Sequence, residues 1–141
     1  MTDEVAAPVR PAQVFLALDY GTRRVGVATG NTVTGDARPL GRLAGQGEAR
    51  LDEVARLVRE WAPAGVVVGV PFHPDGAEHR NTRRARDFAR QLRERLAPLP
   101  VHEVDERYST VEARRGLDAG ADLDAASAAV ILQQFLGGLP R

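Results

Sequence analysis

The chain contains neither cysteine nor lysine. Without cysteine it has no disulfide framework, no thiol nucleophile and no cysteine-based zinc site. Its nineteen basic residues are all arginine, and nineteen acidic residues balance them to a formal net charge of zero. A neutral chain lacks the overall positive charge that is common among proteins that bind nucleic acid. Binding of that kind would require arginines segregated onto one surface.

Long apolar runs are also absent. No stretch approaches the roughly 18 consecutive apolar residues of a membrane span, and no signal peptide is recognisable. We therefore expect a cytoplasmic protein with no membrane association. The 141 residues suit one globular domain with its own core. Residues 1–12 contain Pro8 and Pro11 but few large apolar side chains, and they are predicted to form a flexible tail before a domain over residues 13–138.

The hydrophobic pattern predicts an α/β fold, because apolar, β-branched runs alternate with segments of helical periodicity. An antiparallel start followed by strands connected through helices predicts a mixed sheet with flanking helices. In the first of these helices, Arg50 falls on the polar face. The predicted order is strands over 14–18, 25–29 and 37–43, a helix ending before Pro63, a strand over 65–71, a helix ending before Pro98, a strand over 101–106, a short helix after Ser109 and a final helix over 125–136.

Acidic residues lie where predicted core elements end or begin. Asp19 follows the first strand, Asp105 and Glu106 close the last strand, and Asp124 opens the final helix. An unpaired polar group buried at the edge of a core costs on the order of 2–7 kcal/mol. Acids on three separate elements suggest one shared group that balances their negative charge, and in proteins that group is usually a divalent metal ion. The pattern therefore predicts metal-dependent phosphodiester chemistry.

Each of these acids also has a purely structural interpretation, which the sequence leaves open. Asp19 suits the turn before Gly21, and Asp124 suits the N-cap of the final helix. Neighbouring side chains in a strand face opposite sides of the sheet. We therefore expect one of Asp105 and Glu106 to face Asp19, and the sequence does not say which.

Arginine is concentrated on the helix that ends before Pro98, which carries six arginines between residues 80 and 93. A solvated helix face is one interpretation. The other is a nucleic-acid surface whose positive charge is hidden by the neutral total, since arginine binds phosphate with two parallel hydrogen bonds. The predicted substrate-binding residues are Arg23, Arg80, Arg83, Arg84 and Arg107.

The three histidines have no metal-ligand spacing between them. His73 and His79 flank the turn residues Asp75 and Gly76, and we interpret them as loop residues. A hydrolytic role for them at the edge of a cleft stays open.

Four segments, in this order along the chain, resemble the YqgF/RuvX family. They are similar to the family patterns DxGxxxIGVA, GLPxxxDG with RxFA, DERxSTxEA and DSxAAxxIL. A single pattern is a weak signal, whereas all four together span nearly the whole chain after residue 13. The matching segments are DYGTRRVGVA at 19–28, GVPFHPDG at 69–76 with RDFA at 86–89, DERYSTVEA at 105–113 and DAASAAVIL at 124–132.

The resemblance implies an RNase H-like fold and a nuclease that processes the 5′ end of precursor 16S rRNA during ribosome biogenesis. It implies catalytic roles for Asp19, Asp105, Glu106 and Asp124, of which Asp19, Glu106 and Asp124 would bind Mg²⁺ or Mn²⁺ in a two-metal mechanism. The expected partner is nucleic acid. The alternative substrate is branched DNA cut by a Holliday-junction resolvase, for which a homodimer would be suitable. The sequence leaves open RNA or DNA, and endonuclease or exonuclease.

Two further interpretations compete with a nuclease. The start of the 19–28 segment, followed by a hairpin, also resembles the first phosphate loop of actin/Hsp70-type ATPases, although those proteins need two such domains. Tight ATP binding would favour that interpretation. A non-catalytic RNA-binding or assembly module could retain the fold. Full biological function of a variant lacking the acids would favour the module.

Overall fold

The computed structural model describes residues 12–21, 23–106 and 123–139, which form a five-stranded sheet with helices on both faces. None of the described helices is long and apolar enough to cross a membrane. The predicted helix after Ser109 and nearly all of the predicted tail lie outside the described residues. The elements are β1 Val14–Asp19, β2 Val25–Asn31, β3 Ala37–Leu43, α1 Gly47–Trp61, β4 Gly65–Val70, α2 Arg80–Leu96, β5 Val101–Asp105 and α3 Leu123–Gly137.

The sheet is mixed, and its strand order is β3-β2-β1-β4-β5. The first three strands pair as antiparallel neighbours, whereas β1 with β4 and β4 with β5 are parallel pairs. Parallel neighbours need a crossover connection, and α1 and α2 provide the two crossovers. The predicted α/β class with a mixed sheet and flanking helices is confirmed.

The sheet has a hydrophobic layer on each face. On one face, Leu18, Val66 and Val68 pack with the apolar sides of α1 and α2. On the other, Phe15 and Val67 pack with α3. Strands β1 and β4 are therefore covered on both sides, which explains why they read as continuous apolar runs rather than as alternating ones.

The backbone of α3 approaches the sheet closely at Gly26 of β2. A Cβ atom at this position would overlap the carbonyl oxygen of Asp124 and lie 2.8 Å from the backbone nitrogen of Ala125. Only a glycine therefore lets the start of α3 rest on β2. Gly26 is the residue that pairs with Asp19 across the β1–β2 ladder, so this contact also determines how near Asp124 comes to Asp19.

We expect Gly26→Ala to lower the free energy of unfolding by about 1–3 kcal/mol, because the added methyl group has to push α3 away from the sheet. Urea denaturation followed by circular dichroism would measure the loss. Gly137→Ala is the matched control, since nothing lies within 4 Å of a Cβ added there. Its stability should be unchanged or slightly raised. Equal stability of the two variants would contradict the tight contact at Gly26.

Candidate active site

Asp19 ends the central strand β1 and lies on the face of the sheet that α3 covers. Side chains alternate along a strand, and Phe15 and Ala17 of the same strand pack in the core beneath α3. The neighbours of Asp19 on both sides are glycines, Gly26 on β2 and Gly69 on β4. The space beside Asp19 is therefore left to groups from other elements.

Glu106 comes to the same place from the next parallel strand. Its backbone N–H donates to the carbonyl oxygen of Val70 at 3.1 Å, which extends the β4–β5 ladder beyond β5. Its Cβ lies 3.5 Å from the position that a Cβ would take at Gly69. The side chains of Glu106 and Asp19 are hydrogen-bonded. A Cβ at Gly69 would touch Glu106 only at an ordinary van der Waals distance but would overlap Cδ1 of Ile131, so this glycine makes room for α3.

Asp105 has the opposite orientation, and this answers the question that the sequence left open. It shares a face with Glu103, whose carboxylate is 2.9 Å from Arg93 of α2, and it is exposed. The alternation of side chains along β5 puts Asp105 on the α2 side, away from Asp19. Of the two adjacent acids that the sequence predicts as catalytic, the structure brings only Glu106 to Asp19.

Asp124 supplies the third carboxylate from the first turn of α3, where the partial positive charge of a helix N-terminus favours an acid. Its Oδ2 atom lies 3.4 Å from Nε of Arg24, and the side chain is one-third exposed. Its charge raises the pKa of Asp19, so the two carboxyl groups are close enough to interact. We call Asp19, Glu106 and Asp124 the acidic cluster.

The carboxyl group of Asp19 has a perturbed pKa. Burial raises its pKa from the ordinary value of 3.8, the negative charge of Asp124 raises it further, and the hydrogen bond with Glu106 opposes these effects. The net effect is a raised pKa, so burial and the neighbouring charge outweigh the hydrogen bond.

The acidic cluster has the chemistry of a site for Mg²⁺ or Mn²⁺. Both ions prefer oxygen ligands, and three carboxylates from separate elements supply them. Across residues 12–21, 23–106 and 123–139, no three His, Asp or Glu side chains are already arranged around a common ion position. In the described conformation Asp124 contacts Arg24, and the side chains of Asp19 and Glu106 are hydrogen-bonded. A cation bound by all three carboxylates would replace both contacts.

Arg50 contributes to this region, although its position in the helical pattern predicted an exposed side chain. It is only 5% exposed. Its Nη1 donates to the carbonyl oxygen of Gly21 at 3.2 Å, its Nε donates to that of Gly45 at 3.2 Å, and its guanidinium lies 5.7 Å from the centre of the Tyr20 ring. Arg50 thereby attaches α1 to the turn that follows Asp19. In the sequence Arg50 is one charged residue on a polar helix face, and nothing in that pattern indicates a buried role.

The predicted substrate-binding arginines occupy different places. Arg23 is exposed in the turn after β1, and Arg80, Arg83 and Arg84 are exposed in the first turns of α2. Arg107 lies outside the described residues. No described contact tests a binding role for these residues, which stays a prediction.

The raised pKa of Asp19 predicts a pH-dependent effect of Asp19→Asn on stability. A folded-state pKa above 3.8 stabilises the fold at low pH, and this stabilisation is lost as the pH rises through the folded-state value. Asparagine removes the titration. In EDTA we expect the variant to be more stable than the wild type at neutral pH, with the gain shrinking as the pH falls towards 3.8.

Thermal denaturation over a pH series would measure this gain. Asp87→Asn on the exposed surface of α2 is the control, and its stability should change by less than about 0.5 kcal/mol throughout. A variant at Asp19 that is less stable than the wild type at neutral pH would contradict burial as the dominant cause of the shift.

We expect Arg50→Lys to lower the free energy of unfolding by about 1–3 kcal/mol, because lysine cannot satisfy two separated carbonyl oxygens at once. The same change at Arg59, an exposed residue of α1, should have little effect. Urea denaturation of both variants measures the difference. Equal stabilities would show that the buried contacts of Arg50 do not hold the turn after Asp19.

Comparison with known proteins gives relatives over nearly the whole chain. A protein of Polaromonas sp. (strain JS666 / ATCC BAA-500) is 58% identical over 128 residues, which cover 91% of each chain. One from Albidiferax ferrireducens is 56% identical over 125 residues, covering 88% of this chain and 78% of the relative. Both are named provisionally as pre-16S rRNA nucleases.

Among solved structures, RuvC of Thermus thermophilus in complex with a Holliday junction substrate aligns with a TM-score of 0.58 at 16% identity. The alignment covers 89% of this chain and 94% of that one. This likeness confirms the predicted RNase H-like fold. The family model RuvX, described as Holliday junction resolvase, matches residues 13–138. The family predicted from the four sequence segments is thus confirmed, and the chain belongs to the RuvX family.

Proposed function

We propose that this protein is a metal-dependent nuclease that hydrolyses phosphodiester bonds at the 5′ end of precursor 16S rRNA. The observation that carries the proposal is the convergence of Asp19, Glu106 and Asp124 at one edge of an RNase H-like sheet. Relatives more than half identical to this chain bear the name of that activity. A nuclease acting on ribosomal precursors would work in the cytoplasm.

Asp19, Glu106 and Asp124 would together hold two divalent ions. Ions held there would supply an activated water molecule and stabilise the leaving 3′ oxygen. The part of the protein is to hold three carboxylates on rigid elements at the end of β1, after β5 and at the start of α3.

Arg24 is the residue whose partner changes in this scheme. Its contact with Asp124 is a partly exposed ion pair, and pairs of this kind contribute only about 0–1 kcal/mol to stability. A substrate phosphate can therefore take the guanidinium from Asp124 at little cost. The carboxylate released from Arg24 could then bind the cation, so substrate and metal would each make the site more suitable for the other.

A Holliday-junction resolvase is the second candidate function, because the matching family model carries that description. The two candidates differ in substrate and in assembly. Cutting a four-way junction symmetrically would need two copies of the chain, whereas one copy is enough for a single-stranded RNA leader. Both use the same acidic cluster, so one pair of labelled substrates separates them.

We expect Asp19→Asn, Glu106→Gln and Asp124→Asn each to reduce Mn²⁺-dependent cleavage by at least about 100-fold, because each removes one charged ligand. Asp105→Asn is the matched control. It changes the neighbour of Glu106, but its side chain lies on the other face of the sheet, so we expect nearly wild-type activity.

The measurement is cleavage of a labelled precursor 16S rRNA 5′ leader and a labelled four-way DNA junction, each with Mn²⁺ and with EDTA. Preference for the leader supports rRNA processing, and preference for the junction supports the resolvase. Wild-type protein that cleaves neither substrate would contradict the proposal and favour the non-catalytic RNA-binding module. Full activity of Asp19→Asn would exclude the acidic cluster as the site of chemistry.

A further inference from the structure

The first turns of α2 gather positive charge that the described structure does not compensate. Arg80, Arg83 and Arg84 are exposed, and none of them has an acidic partner within the described part of the chain. The first turn of the helix contains no acidic residue either. The arginines further along the helix all pair with acidic side chains, namely Arg86, Arg90, Arg93 and Arg95.

This distribution is unfavourable for an isolated helix. The helix dipole disfavours cations at the N-terminus. Arg80 and Arg84 are also four residues apart, a spacing at which like charges repel. A bound anion would offset both effects. Local departures from favourable chemistry concentrate at functional positions. Arginines at the start of α2 that have no acidic partner in the described part of the chain are a departure of this kind.

Arg80 and Arg84 line an open cavity of about 550 Å³, and His73, His79 and Asn81 complete its wall. None of these five residues is acidic. His79, which the sequence predicted as a loop residue, is the N-cap of α2, and its Nδ1 accepts a hydrogen bond from the backbone N–H of Asn81 at 3.1 Å. A neutral ring whose Nδ1 accepts carries its hydrogen on Nε2. The wall therefore offers N–H donors and positive charge, which is the chemistry of a phosphate site.

Hydrogen bonds within the loop between β4 and α2 hold this wall in place. The N–H of His73 donates to the carbonyl oxygen of Ala77 at 2.9 Å, and the N–H of Gly76 donates to the carbonyl oxygen of His73 at 2.8 Å. The rings of His73 and His79 meet edge to face with their centres 4.7 Å apart. A preformed wall loses little conformational freedom when a ligand binds.

The cavity lies at the same edge of the sheet as the acidic cluster, because its loop leaves the C-terminal end of β4 beside β1. Phe88 of α2 contacts the ring of Tyr20, the residue after Asp19, with centres 5.4 Å apart. Arg84 and Arg80 lie one and two turns nearer the start of α2, about 6 and 12 Å further along the axis. The cavity is therefore on the α2 side of this edge, whereas the acidic cluster is on the α3 side.

We infer that this cavity is a subsite for one backbone phosphate of the nucleic-acid substrate, at the same edge of the sheet as the acidic cluster but on its α2 side. The identity of the ligand rests on the proposed nuclease function. Arg80 and Arg84 bind the phosphate oxygens, and His79 and Asn81 complete the set of donors. RNA and DNA share this phosphate chemistry, so the two substrates form separate arms of the test.

The test is fluorescence anisotropy of the labelled RNA leader and the labelled four-way junction in EDTA, over a series of salt concentrations. For the double variant R80Q/R84Q we expect Kd to rise about tenfold and the slope of log K against log salt to fall in magnitude by about 1. In cleavage assays KM should rise while kcat is retained. Loss of like-charge repulsion should leave the melting temperature equal or higher, so weaker binding would not come from unfolding.

The double variant R56Q/R90Q is the matched control. It removes the same charge from exposed arginines that already pair with acids, so its Kd should stay within about twofold of the wild type.

Equal binding by both double variants would overturn the subsite and leave the nuclease proposal intact. Wild-type protein that binds but cleaves neither substrate, with binding lost in R80Q/R84Q, would support the subsite and contradict the nuclease. Wild-type protein that binds neither substrate would overturn both.

Discussion

The contact of α3 with β2 at Gly26 is the constraint on which the rest of the site depends. Gly26 lets the backbone of α3 rest directly on β2, and a side chain there would push Asp124 away from Asp19. Gly69, on the other side of Asp19, leaves space for Ile131 of α3. The acidic cluster is therefore a consequence of sheet register, because the two glycines are the residues that pair with Asp19 from the adjacent strands. Because the residues paired with Asp19 have no side chains, other carboxylates can lie next to it.

The acidic cluster lowers the stability of the fold at the place where we propose that the chemistry occurs. Burial and a neighbouring negative charge both disfavour the ionised form of Asp19. The hydrogen bond with Glu106 compensates part of this cost, and Arg24 contacts the neighbouring Asp124. An acidic cluster that binds a cation, as proposed, would be less favourable without it, and such trade-offs are common where activity needs a destabilised arrangement. Arg50 also supports this region, because its guanidinium donates to the carbonyl oxygen of Gly21 in the turn after Asp19.

Much of this could be predicted from the sequence, and the failures have physical reasons. The β-branched run over 65–70 and the acid after the first strand are local signals, and the structure places them as expected. The choice between Asp105 and Glu106 depends on which face of β5 meets α3, and the register of paired strands sets that face. The burial of Arg50 and the capping role of His79 depend on acceptors and donors supplied by the folded chain. The ion pairs of the α2 arginines could not be predicted either, because the fold decides which acidic residues lie near them.

The central claim is that Asp19, Glu106 and Asp124 bind divalent metal together. The most direct measurement is an anomalous difference map from crystals of the protein grown with Mn²⁺. The account predicts a peak within coordination distance of all three carboxylates, with Arg24 moved away from Asp124 and the hydrogen bond between Asp19 and Glu106 broken. An ordered Mn²⁺ ion elsewhere, or an unchanged acidic cluster at saturating Mn²⁺, would contradict it.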